Sequence, residues 1–113
     1  MGYISTRGDL NVSFSDSVLW GLTPKGGLVI PDKFPRYSLE ELEEMKGMSY
    51  QELAFEIMKD FVDDIPENDL RELIDKSYKK ELFGGEEITP IREIGNGNWI
   101  LELFHGPTLA FKD

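Results

Sequence analysis

The chain has 113 residues, enough for one domain with a modest core and too few for two independent ones. Its 12 Lys and Arg stand against 22 Asp and Glu, a formal net charge of -10, which is the wrong sign for tracking a nucleic-acid backbone or an anionic membrane. The absence of cysteine excludes disulfide scaffolds, thiolate metal sites and a cysteine nucleophile together, and every apolar run falls far short of the roughly 20 residues of a membrane-spanning helix.

The first residues, Met1 to Arg7, lack the charged-then-apolar layout of a signal peptide, so a soluble intracellular protein is expected. Tyr3 to Thr6 reads as a short strand. Ser15 is the expected cap of a one- or two-turn helix that ends at Trp20, with Gly21 as terminator. Leu28 to Ile30 reads as a second strand, entered through Gly26-Gly27 and stopped by Pro31. Ser38-Leu39-Glu40-Glu41 has the spacing of a capping box, after which Leu39, Leu42 and Met45 share one helix face. Ser49-Tyr50-Gln51-Glu52 repeats the device ahead of an apolar stripe of Leu53, Ala54, Ile57, Met58 and Phe61, and Gly47 separates the two helices.

A third helix is expected to open at Pro66, whose missing N–H costs nothing in a first turn. It turns Leu70, Leu73, Ile74 and Tyr78 inward and ends at Gly84-Gly85. Residues 36 to 87, which hold these three helices, carry 16 acids and 7 bases, so nearly all of the net charge sits there. The acids gather toward helix starts and Lys76, Lys79 and Lys80 toward the last helix's end, as the helix dipole favours. Beyond them, Ile91 and Ile94 lead through Gly95-Asn96-Gly97-Asn98 into Trp99 to Leu103, the pattern of a β-hairpin.

Several motifs have a plain reading that outweighs a functional one. Arg7-Gly8-Asp9 matches an adhesion tripeptide but stands in a chain with no secretion signal. Gly95-Asn96-Gly97 lacks the third glycine and following helix of a nucleotide loop. His105 is the sole histidine, so no histidine cluster for a metal can form around it. Met45, Met48 and Met58, with Tyr50, Phe55 and Phe61, read as helix packing. Ser5, Thr6 and Arg7 could meet an anionic substrate, although a structural role is the commoner one for such a strand.

The last thirteen residues, Leu101-Glu102-Leu103-Phe104-His105-Gly106-Pro107-Thr108-Leu109-Ala110-Phe111-Lys112-Asp113, end in an apolar stretch, whereas a free tail is usually polar. A chain that continues is therefore expected. A lysine after an apolar run has a chemical reading too, because desolvation favours the neutral amine that condenses with aldehydes. A solvated surface lysine is the commoner reading of such a residue taken alone.

Those thirteen residues resemble the lysine segment of the threonine synthase family. Tyr3-Ile4-Ser5-Thr6-Arg7-Gly8, Phe14-Ser15-Asp16-Ser17-Val18-Leu19-Trp20-Gly21-Leu22 and Gly26-Gly27-Leu28-Val29-Ile30-Pro31 match the same family in order and spacing. Trp20, where the family often has a polar residue, and Thr23-Pro24-Lys25, in place of an Ala-Pro-Asp type of turn, depart from the pattern. The resemblance implies an α+β fold. Residues 1–84 would be a small, mainly helical amino-terminal domain with short β-strands, and residues 85–113 a β-hairpin that begins a truncated fold-type II pyridoxal-phosphate domain.

It also implies that Lys112 is the catalytic residue and holds pyridoxal 5'-phosphate as a Schiff base. The freed amine would move protons while O-phospho-L-homoserine loses phosphate from its γ carbon and gains water at its β carbon, giving L-threonine. His105 and Thr108, in the loop ahead of the lysine, are the implied substrate contacts. The parent is expected to be a cytoplasmic, monomeric lyase of threonine biosynthesis with no metal, nucleic-acid or membrane partner. Its site would be completed by the remainder of its own polypeptide, so that these 113 residues alone are inactive. Two alternatives stand beside this reading: a related phospholyase that stops after phosphate elimination and releases a keto acid, and a non-catalytic module that docks through its acidic helices.

Overall fold

The computed structural model describes residues 2–8 and 10–113. Met1, where the leader reading begins, and Asp9, the third residue of the adhesion tripeptide, lie outside the described residues. The elements are β1 (Tyr3–Ser5), β2 (Asn11–Val12), α1 (Phe14–Trp20), β3 (Val29–Pro31), α2 (Leu39–Met45), α3 (Tyr50–Met58), α4 (Glu67–Ser77), α5 (Lys80–Phe83), β4 (Ile91–Gly95) and β5 (Asn98–Leu101). They form two packed units, one extending to Glu72 and the other comprising Leu73–Asp113.

In the first unit a three-stranded antiparallel sheet has the order β2-β1-β3. Tyr3 stands opposite Val12 on one side and Pro31 on the other, so Pro31 belongs to the strand it was expected to stop. An edge strand tolerates a proline because one side of its backbone needs no ladder donor. The two-residue β2 is too short to carry any alternation. Between α1 and β3 a turn closes with Gly26 N donating to Thr23 O (2.7 Å) and Thr23 N to Gly27 O (2.9 Å). A Cβ on Gly27 would sit 2.6 Å from Ser5 Oγ, so glycine is what lets the turn approach the buried Ser5 and Thr23. Thr6 Oγ1 accepts from Leu28 N (3.0 Å), Arg7 N donates to Ser5 Oγ (3.0 Å), and the Arg7 guanidinium donates to the Lys25 carbonyl. Ser5, Thr6 and Arg7 thus pin this turn to β1, the structural role of the two considered for them.

The helices begin where short polar side chains satisfy the first orphan N–H groups. Ser13, in extended conformation, accepts from Asp16 N (3.2 Å) and caps α1; Ser15, the expected cap, lies inside the first turn, where its N–H donates to Asp64 Oδ2 (2.9 Å). Gly21 ends α1 at φ 66°. Both capping boxes form: Ser38 N donates to Glu41 Oε2 and Ser49 N to Glu52 Oε2, each at 2.7 Å, with the reciprocal amide-to-serine bonds at 3.2 Å. These bonds hold the Glu41 and Glu52 carboxyls below the usual carboxylate range.

Packing rotates the apolar faces away from the simple stripes. On α3 the residue that goes inside is Phe55, 2% exposed, while Ile57 stays half out and α2 leaves Leu39 and Leu42 exposed. A ring brings more apolar area than an aliphatic chain, and the Arg71 guanidinium stacks 3.4 Å from its centroid. Tyr3, Val62 and Leu70 are buried in the same unit, and the Tyr3 hydroxyl donates to the Phe61 carbonyl at 2.6 Å. The run expected to continue helically to Phe61 stops at Met58.

Pro66 precedes α4 and acts as its cap, its carbonyl accepting from Leu70 N (3.0 Å). Ile74 is buried but Leu73 is exposed, contrary to the inward face expected of both. The helix ends at Ser77 rather than running to Gly84: Ser77 Oγ donates back to Leu73 O (2.7 Å), Lys79 turns extended, and α5 restarts the chain. This break buries Phe83 beside Tyr78, ring centroids 6.0 Å apart, and Gly84 at φ 69° closes α5 instead. The expected hairpin is present, with Asn96 and Gly97 both at positive φ, as a two-residue type I′ turn requires. A register shift between Glu93 and Gly95 makes a bulge, and β5 ends at Leu101, two residues earlier than expected.

Candidate functional site

The hairpin delivers the chain into the loop 102–113, which carries all three residues singled out from the sequence. Glu102 N donates to Pro90 O (2.9 Å), extending the hairpin's connection one residue past β5. The Glu102 side chain turns toward His105, three positions on, and its Oε2 lies 2.7 Å from His105 Nε2. Arg92 Nε on β4 lies 3.9 Å from the same carboxylate oxygen. A carboxylate oxygen accepts, so His105 Nε2 is the donor of this contact. His105 and Arg92 help line a cleft of about 260 Å³ together with Phe83, Gly85 and Glu86.

Past His105 the backbone folds back on itself. Leu109 N donates to Gly106 O (3.0 Å) and Asp113 N to Ala110 O (3.2 Å). Leu109 takes φ 61°, a left-handed conformation that a leucine adopts only when its surroundings impose it. Thr108 N donates to Asp113 Oδ2 (2.9 Å) and the Thr108 hydroxyl donates to Asp113 Oδ1. These donors hold the Asp113 carboxyl below the usual carboxylate range. The Thr108 hydroxyl has therefore spent its one proton inside the loop and offers a ligand only its acceptor lone pairs.

Lys112 is exposed, and its amine enters no ion pair or hydrogen bond among the described residues. A cofactor aldehyde held through lysine needs an accessible amine that no carboxylate consumes, and Lys112 meets that requirement. His105, Thr108 and Lys112 thus share one loop, whereas the cleft is lined by His105 without Thr108 or Lys112. Glu102 and Asp113 were not singled out from the sequence, and Gly106 was read only as part of the loop ahead of the lysine. The three-residue spacing of Glu102 to His105 is the signal that could have found the first, but the other two depend on a turn that no periodicity announces.

The family model described as "Threonine synthase N terminus" matches residues 2–78. The threonine synthase of Methylobacillus glycogenes is 44% identical over all of this chain and 26% of its own length. That of Pseudomonas aeruginosa is 44% identical over all of this chain and 24% of its own length. A crystal structure of a pyridoxal-phosphate-bound threonine synthase from Brucella melitensis superposes with a TM-score of 0.88 at 37% identity, covering 99% of this chain and 24% of that one. The chain spans about a quarter of the length of the curated relatives it matches.

Proposed function

The chain belongs to the threonine synthase family, and from that premise we propose that it is the amino-terminal part of a cytoplasmic, pyridoxal-phosphate-dependent lyase. The reaction is the conversion of O-phospho-L-homoserine and water to L-threonine and phosphate. In this reading residues 1–84 are the amino-terminal domain and residues 85–113 begin the cofactor domain. The observation that carries it is Lys112, an accessible and uncommitted amine near the end of a hydrogen-bonded loop, in a chain that overlays a pyridoxal-phosphate-bound threonine synthase.

Each residue of the loop has a part in that chemistry. When bound, pyridoxal 5'-phosphate supplies an electron sink for the substrate carbon that loses its proton. Lys112 Nζ would hold the cofactor, and its free amine would carry protons to and from the reacting carbons. His105, held in place by Glu102, meets the substrate, while Thr108 contributes a lone pair. The cofactor phosphate and pyridine nitrogen need further donors and a counter-group, so the 113 residues alone are inactive and the enzyme acts as a monomer completed by the rest of its own polypeptide.

The test is phosphate release from O-phospho-L-homoserine by the complete polypeptide that contains these residues, with the carbon product identified. L-threonine formation that disappears in Lys112→Ala is the expected result. A keto acid in place of threonine, or phosphate release that survives Lys112→Ala, overturns the reading.

A further inference from the structure

The segment that carries Lys112 is held by a contact that neither the spacing of the residues nor the family's name assigns. Asp113, next to the lysine, reaches back five positions and takes both donors of Thr108, main-chain and hydroxyl, on its two carboxylate oxygens. Room for that carboxylate exists only because residue 106 has no side chain: a Cβ built on the buried Gly106 would run into Asp113 Cβ and Oδ2. Leu109, between the clamped ends, is driven to positive φ. Three separate features therefore follow from one closure, an absent side chain, a left-handed leucine and a threonine with both donors spent.

We propose that Asp113 is a positioning residue for Lys112. It anchors the main chain beside the lysine through Thr108, so that the exposed amine is presented from a fixed turn, and Gly106 is the space that admits the anchor. This rests on the reading of Lys112 as the cofactor-holding amine. The geometry makes a graded demand on each position. Asp113→Asn keeps an acceptor for one Thr108 donor, Asp113→Ala keeps none, Thr108→Val removes the hydroxyl at nearly constant shape, and Thr108→Ser restores it. Gly106→Ala displaces the carboxylate without touching its charge.

Two measurements test this, both independent of turnover. In the complete polypeptide, the Thr108 amide proton resonance should follow the ionisation of Asp113, with a midpoint below the ordinary aspartate range. Its exchange protection should fall about tenfold in Asp113→Ala, the loss expected for one charge-assisted hydrogen bond. In the complete polypeptide loaded with pyridoxal 5'-phosphate, the visible absorbance of the lysine-bound cofactor should shift its pH midpoint in Asp113→Ala, Gly106→Ala and Thr108→Val. It should return toward the parent value in Thr108→Ser, with unchanged circular dichroism throughout. A Thr108 amide indifferent to Asp113, or a pH midpoint the same in all four variants, overturns the proposal while leaving the lysine assignment intact. Cofactor absorbance that persists in Lys112→Ala overturns both.

Discussion

The region around α3 and the hairpin β4-β5 keep their shapes by opposite means. Around α3, side chains decide the structure: Phe55, Val62, Leu70 and Tyr3 are buried, Arg71 lies over the Phe55 ring, and capped helix starts only adjust the ends. Along the hairpin every residue of both strands is exposed, Ile91, Ile94, Trp99 and Leu101 included, and the ladder and turn alone hold the register. Stability in the first case is a sum over apolar area. In the second it is a property of backbone geometry, and the loop carrying the candidate lysine continues that second mode with main-chain and carboxylate hydrogen bonds.

The contrast can be broken most forcefully at Phe55. Phe55→Ala should cost about 3 to 5 kcal/mol, a large share of a small domain's stability, and denaturant unfolding followed by circular dichroism measures it. A loss under 1 kcal/mol would place the organising contact elsewhere. Gly97→Ala forces a side chain into a left-handed position and should cost about 1 to 2 kcal/mol, felt by the hairpin and not by the helices. Amide exchange resolved by residue separates the two, and loss of protection in α3 would show that the regions are not independent. Ser49→Ala removes the cap of α3 and should cost about 1 kcal/mol, seen as fraying confined to its first turn.

A smaller, pH-dependent effect sharpens the same comparison. Glu41 and Glu52 have folded-state pKa values below their unfolded ones, so their contribution is complete above the ordinary glutamate pKa and is lost as pH falls through the lowered value. Acid titration should therefore loosen the starts of α2 and α3 while the hairpin amides, which use no carboxylate cap, keep their protection. Carboxyl carbon resonances of the two glutamates give the midpoints directly. Least of all should follow from Trp99→Thr: the side chain is 61% exposed, and stability should stay within about 0.5 kcal/mol.

The same division governs what could be read from the sequence. Capping boxes, the Asn-Gly hairpin and terminating glycines are local devices, so Ser38, Ser49, Asn96, Gly97 and Gly21 stand where their spacing put them. The misreadings concern choices settled at a distance. Ser13 and Ser15 are equally good caps locally, and the contact of Ser15 with Asp64, 49 positions away, separates them. Ser77 ends α4 because Phe83 has a place to be buried, and β2 exists because β1 is already there to pair with. At the candidate site, the proposed roles of Lys112, His105 and Thr108 were expected by likeness to a family. Glu102 and Asp113, which hold them, were not, because a carboxylate gains such a role only once a turn brings its partner within reach.

The hydrogen bond from the Tyr3 hydroxyl to the Phe61 carbonyl spans 58 positions. On the ribosome the strand containing Tyr3 emerges before Phe61, and this partner appears only after those intervening residues have been added. At ~5–20 residues per second that is a delay of about 3 to 12 s. For that interval the tyrosine hydroxyl lacks its acceptor, and closing a loop of this length carries an entropic toll that grows only with the logarithm of its span. The closure between Tyr3 and Phe61 therefore waits for the residues up to Phe61, whereas the pairing of Tyr3 with β2 and β3 needs only the chain up to Pro31.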